Sequence, residues 1–209
     1  MSSSPEVICN MALGHLKINK SIANLTTEMS AEAVACRTFY QTLKTKFLED
    51  FKWPFATYQV ALALVTTSPF PIDTLNDSEW AYAYRYPANA VNLVRILSGT
   101  RNESRQDRVP YRILHDGAGK LILTDMQNAV LEFTDYEAAE DSFSSSAQLA
   151  LSLLVSVYIA PIVAGGDPFK LGDRALKLYM MELNGARNNA LNEEQMEEEP
   201  ESEMIRARS

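Results

Sequence analysis

The residues of this chain that are able to do chemistry are few and scattered. Its two histidines stand alone: His15 follows Cys9 by six residues, which does not put the pair on one helical face, and His115 abuts a turn. No Cys, His and carboxylate group has ligand spacing, so neither a metal nor a cofactor is expected. Gly117-Ala118-Gly119-Lys120 is glycine-rich but is not a phosphate-binding loop. Such a loop needs a further glycine where Leu114 stands and a hydroxyl residue where Leu121 stands. No G-x-S-x-G nucleophile elbow occurs. Asp125, Glu132 and Asp135 offer the carboxylates a glycan or cell-wall hydrolase would use, against the commoner roles of capping and solvent contact. Arg101, Arg105 and Arg108 are interleaved with Glu103 and Asp107, the pattern of a solvated, exposed interface loop. The expectation is a protein without catalytic residues.

Composition narrows the class. The hydrophobic share of 46% and charged share of 22% are those of a globular protein able to bury a core. Residues 193–209 hold seven acids and two bases, a local charge of −5 out of the total of −8. The body is thus close to neutral, the opposite of the balance that phosphate neutralisation requires. Nothing at Met1–Pro5 resembles a signal peptide, and Cys9 and Cys36 are read as free buried thiols, with a Cys9–Cys36 disulfide as the alternative.

The elements that must position these residues follow from spacing. Ser4-Pro5-Glu6 is a helix start, with a capping hydroxyl, a first-turn proline and an acid at the positive end of the dipole. Ser30 or Thr27 caps a second helix in which Cys36, Tyr40, Leu43, Phe47 and Phe51 recur at steps of three and four, with Glu32, Arg37, Gln41 and Lys44 on its other face. It must stop near Trp53, ahead of Pro54. The period then changes to two. Tyr58, Val60, Leu62 and Leu64 alternate with Thr57, Gln59, Ala61 and Ala63 in a first strand. After a loop over 68–79, Trp80, Tyr82, Tyr84 and Tyr86 fall on alternate residues and so share one face of a strand that Pro87 must end. A strand over Val91–Leu97, a polar loop over Ser98–Pro110, a hairpin about Asp116–Gly119 and a strand over Val130–Phe133 complete the β region.

From Ser142 to Gly166 no residue is charged. Ala147–Ala164 has the length of a bilayer span, which keeps a membrane-active protein as an alternative. Gln148, Ser152, Ser156 and Pro161 interrupt it, and Ser152, Ser156 and Ala160 make a small-residue stripe that lets another helix approach closely. A central buried helix with no membrane partner is expected. Asp167-Pro168 starts a fourth helix carrying Leu176, Tyr179, Leu183 and Ala186 on one face to about Asn192. The fold class expected is α+β: a four-helix bundle formed by both chain ends with an inserted antiparallel β-sheet region. The organisation expected is an N-terminal helical pair over 1–54, an inserted β region over 55–137, a C-terminal helical pair over 138–192 and an acidic tail over 193–209.

A resemblance adds to this reading. Ile8-Cys9-Asn10-Met11-Ala12-Leu13-Gly14-His15-Leu16, then Glu32–Tyr40 and Trp53-Pro54-Phe55-Ala56, resemble the N-terminal part of the tubular tail protein A family, the head-to-tail adaptors of short-tailed bacteriophages. The likeness continues through Tyr86–Val91, Leu123-Thr124-Asp125, Ala147–Ala164, Ala186-Arg187 and Ile205–Arg208, and so covers nearly the whole chain apart from the loop 98–110. It implies a structural virion protein: a ring of identical subunits, a dodecamer, between the portal protein and a tubular tail protein B-like nozzle at the head–tail junction, assembled in the host cytoplasm. Genomic DNA would pass through the channel without sequence-specific binding. It also implies that C-terminal segments dock on the portal, which makes Glu197, Glu199, Met204, Ile205, Arg206 and Arg208 the expected portal contacts. Residues 188–209 are then expected to order only on that partner.

Overall fold

The computed structural model describes residues 3–67, 79–100 and 107–193. Among the described residues four α-helices occur in two pairs, α1 (Pro5–His15) and α2 (Ala31–Glu49) before the sheets, α3 (Ser145–Val163) and α4 (Pro168–Glu193) after them. Between them lie β1 (Thr57–Ala61), β2 (Leu64–Thr67), β3 (Tyr82–Arg85), β4 (Ala90–Ile96), β5 (Arg112–His115), β6 (Lys120–Thr124) and β7 (Val130–Asp135).

Local chemistry accounts for the helix ends. The Ser4, Ser30 and Ser144 hydroxyls accept from the N–H groups of Val7, Ala33 and Ala147, three residues on in each case. Asp167 Oδ1 accepts from Lys170 N at 3.1 Å, just ahead of Pro168. The second helix ends at Glu49, four residues before Trp53. Trp53 then turns inward, donates its Nε1–H to Phe47 O at 2.9 Å, and stacks on Phe47 and Phe55 with ring centroids 4.7 and 5.4 Å away. Residues 188–193 continue α4, with Ala190 buried, so helix replaces the expected beginning of a tail ordered only on binding.

The four helices do not form the bundle expected of the two chain ends. They stand as an N-terminal pair and a C-terminal pair with the sheets between them in the chain, and α3 is the hub against which α1, α2 and α4 each pack. The reason lies in composition. A bundle shares its core among helices with one apolar stripe each, whereas α3 is apolar nearly all round. A helix of that kind is buried on several sides, and its neighbours arrange themselves about it. Leu151, Val155, Ile159 and Ala160 are fully buried. The small-residue stripe is where α1 comes close: Ser156 Oγ donates toward Ala12 O at 3.0 Å as well as to Ser152 O.

The β region is also divided. One antiparallel sheet has the order β1-β7-β4 and a second has the order β2-β3-β6-β5. The expected first strand is two strands, because the chain changes sheet at Leu62-Ala63. Leu62 N donates to Ala129 O beside β7, and Ala63 O accepts from Arg85 N beside β3. Between the sheets Leu62, Tyr84, Ile96, Ile122, Leu131 and Phe133 form a second core. Tyr82, Tyr84 and Tyr86 keep the shared face expected of them. Trp80 does not, since β3 begins only at Tyr82, and its ring packs with Ala83, Leu121 and Leu123.

Candidate functional site

The sequence singled out chemistry-bearing residues that the fold mostly ties down one by one. His15 Nε2 lies 3.1 Å from Ser152 Oγ, a pair reminiscent of a nucleophile and its base. Ser152 is fully buried in mid-helix and its hydroxyl donates to Leu149 O at 2.7 Å, so the contact joins α1 to α3. Burial holds the imidazole below its ordinary range. Cys9 and Cys36 are free and buried. A hydrogen bond to Cys36, together with burial, pushes the Cys9 thiol far up, so it rests protonated.

The three candidate carboxylates are separated and occupied. Asp125 Oδ1, beyond the end of β6, accepts from Ala81 N at 2.9 Å. Asp135 accepts from Asn89 Nδ2 and from Glu137 N, both at 2.7 Å. Glu132, three residues before it, projects from the opposite face of β7. It is 3% exposed and takes Lys52 Nζ at 2.9 Å and Arg95 Nη2 at 3.2 Å. Burial pushes its carboxyl up, and the two cations outweigh that and hold it below the usual range. Sequence spacing placed Glu132 beside Asp125 and Asp135 as possible partners; its actual partners come from the α2–β1 connection and β4.

Gly117–Gly119 forms the expected turn. Asp116 Oδ1 accepts from Ala118 N and Gly119 N, and Gly117 has φ +77°. Arg85 grips the Asp116 carboxylate through both terminal nitrogens and holds it below its ordinary range. No grouping of three or more metal-ligating side chains occurs among the described residues. Arg108 is exposed; Arg101 and Arg105 lie outside the described residues, as do the six tail positions expected to meet a portal.

Spacing missed two buried charges. Glu32 and Lys44 sit on what reads as the polar face of α2, yet both are buried. Lys44 Nζ meets Glu140 Oε1 at 2.8 Å and lies over the Phe143 ring, while Glu32 is paired with Lys20 Nζ at 2.8 Å. No sequence signal locates those partners, since Glu140 is 96 residues from Lys44.

The surface feature best suited to a partner is on α4. Gly172, Ala175, Tyr179, Leu183, Ala186 and Ala190 form the stripe that meets α3, as the expected Tyr179, Leu183 and Ala186 face requires. Phe169, Leu176, Met180 and Leu191 lie directly beside it and are exposed, Phe169 at 75% and Met180 at 54%, in a stripe they share with the exposed Asp173 and with Arg187, which lies over the Phe51 ring. At about 100° per residue the two stripes together span about 160°, more than the ~100° one helical neighbour occupies. Leu176, expected in the core-facing set, belongs to the outer stripe. On α3, Tyr158 and Ile162 are exposed as well.

No protein-family model matches the chain, and no curated protein matches it in sequence. The features present are occupied carboxylates, a turn in place of a phosphate loop, and a largely apolar helical face open to solvent.

Proposed function

We propose that this protein is a head-to-tail connector adaptor of a short-tailed bacteriophage, a subunit of a ring that joins the portal to the tail nozzle around the DNA exit channel. The observation that carries the reading is the ordered series of segments from Ile8 to Arg208 that resembles the tubular tail protein A family. The outer stripe of α4 supports it. A closed ring joins two different faces of each subunit, and a largely apolar helical face beside a packed one is a surface that such a contact would cover. The near-neutral body supports it too, because a densely positive lining would grip the passing DNA. The subunit's place is then the head–tail junction of the virion.

The test is to mix the protein with the purified portal of a short-tailed phage and image the product. A ring stacked coaxially on the portal is expected; free subunits beside bare portals at micromolar concentrations would overturn the reading.

A further inference from the structure

Among the described residues, the outer edge of β1 carries no paired strand. Just before β7, Ala129 turns its carbonyl to Leu62, while Val130 of β7 turns its own to Leu97 on the β4 side. Hydrogen-bonded pairs alternate along an antiparallel ladder, so Tyr58, Val60 and Leu62 point their backbone groups at β7. Gln59 and Ala61 point theirs the other way, where no described strand lies. That side lies toward the end of β3: Arg85 N reaches Ala63 O, and Ala61 and Pro87 both line the space that follows. Pro87 has no N–H to donate, and its carbonyl already accepts from Ala90 N at 3.2 Å. Tyr86 meanwhile donates to Lys120 O, which continues the β3–β6 ladder on the other side of the chain.

The result is a groove of about 560 Å³ between Val60–Ala63 on one wall, Tyr86–Ala88 on the other and the Gly119-Lys120 turn at its rim. Among the described residues its charged lining groups are Arg85 and Lys120, with no carboxylate. Arg85 is committed to Asp116, while Lys120 Nζ lies 5.0 Å from the Tyr86 ring centroid. Outward-facing backbone donors and acceptors beside an apolar wall are what an added strand requires. The main chain supplies hydrogen bonds, and alternate side chains meet the wall.

We propose that this groove docks an extended segment of a partner protein, added as a strand beside β1 with an acidic side chain against Lys120. The proposal does not depend on the ring or on the portal. Its test is selection of a displayed random decapeptide library on the immobilised full-length protein. The expected outcome is enrichment of peptides with alternating apolar residues and an acidic position, whose binding falls at least tenfold in Ala61→Pro and in Lys120→Glu. Proline at Ala61 removes an N–H that points away from β7, so the native ladder survives. Ala88→Trp, at an exposed turn position, fills the groove without touching any ladder and is expected to abolish binding. On the unsubstituted protein, bound peptide should slow hydrogen exchange at the Gln59 and Ala61 amides. Failure to enrich any peptide overturns the proposal, as do enriched peptides that leave those amides unprotected. It is also overturned if the protein self-associates through this edge, with Ala61→Pro and Ala88→Trp leaving it monomeric, because the occupant is then a second copy.

Discussion

Lys44 Nζ lies 2.8 Å from Glu140 Oε1, and the two side chains, 6% and 13% exposed, join α2 to the turn that leads into α3. Tyr40 donates to the same carboxylate oxygen at 3.1 Å; burial and the Glu140 charge push its phenol far up, so it remains a donor at any ordinary pH. Removing one charge of a buried pair strands the other. Glu140→Gln should therefore lower stability by about 3 kcal/mol in denaturant unfolding, whereas Lys44→Met with Glu140→Leu, which removes both charges, should cost less than either single change. A double variant as unstable as Glu140→Gln would contradict this account.

His15 sets an acid limit on stability. Its imidazole is held below the ordinary value by burial, so the unfolded chain takes up the proton first as the pH falls. Stability from the neutral ring is complete above the unfolded value of about 6.5 and is lost as pH falls from there toward the folded value. Urea midpoints measured from pH 7 to 5 should decline less steeply in His15→Gln than in the wild type. Parallel curves would show that the ring contributes nothing to this slope.

Gly185 lies in the middle of α4, is exposed, and has nothing within 4 Å of where a Cβ would sit. Alanine there removes backbone freedom from the unfolded chain at no steric cost. Gly185→Ala should raise stability by about 1 kcal/mol, read as a higher melting temperature. A lower one would mean that α4 is not continuous through this residue.

Phe169 and Met180 belong to the outer stripe of α4 and make no part of the core. Serine at both should leave the unfolding free energy within about 1 kcal/mol of wild type, as for surface substitutions. It should reduce assembly on a portal by an order of magnitude or more in sedimentation. Undiminished assembly would place the subunit contact elsewhere on the surface.

The local decisions of this chain were legible in its residues. Ser4, Ser30 and Asp167 name the helix starts, because a short polar side chain satisfies N–H groups a helix leaves free. Pro87 ends β3 for want of a donor, and Asp116–Gly119 makes its turn because Gly117 adopts a positive φ. The absence of charge from Ser142 to Gly166 foretells a buried helix. Tertiary structure decided what those elements meet. Periodicity describes one face at a time and cannot say that α3 gathers three neighbours instead of taking one place in a bundle. Nor can it say that the strand after Ala56 changes sheets at Leu62-Ala63, since that rests on the register of β7 and β3, both distant in sequence. Lys44 and Glu132 look like surface charges or catalytic groups until Glu140, Lys52 and Arg95 come beside them. A charge is buried only where an opposite charge or hydrogen-bond donors await it, and those partners are brought by the fold.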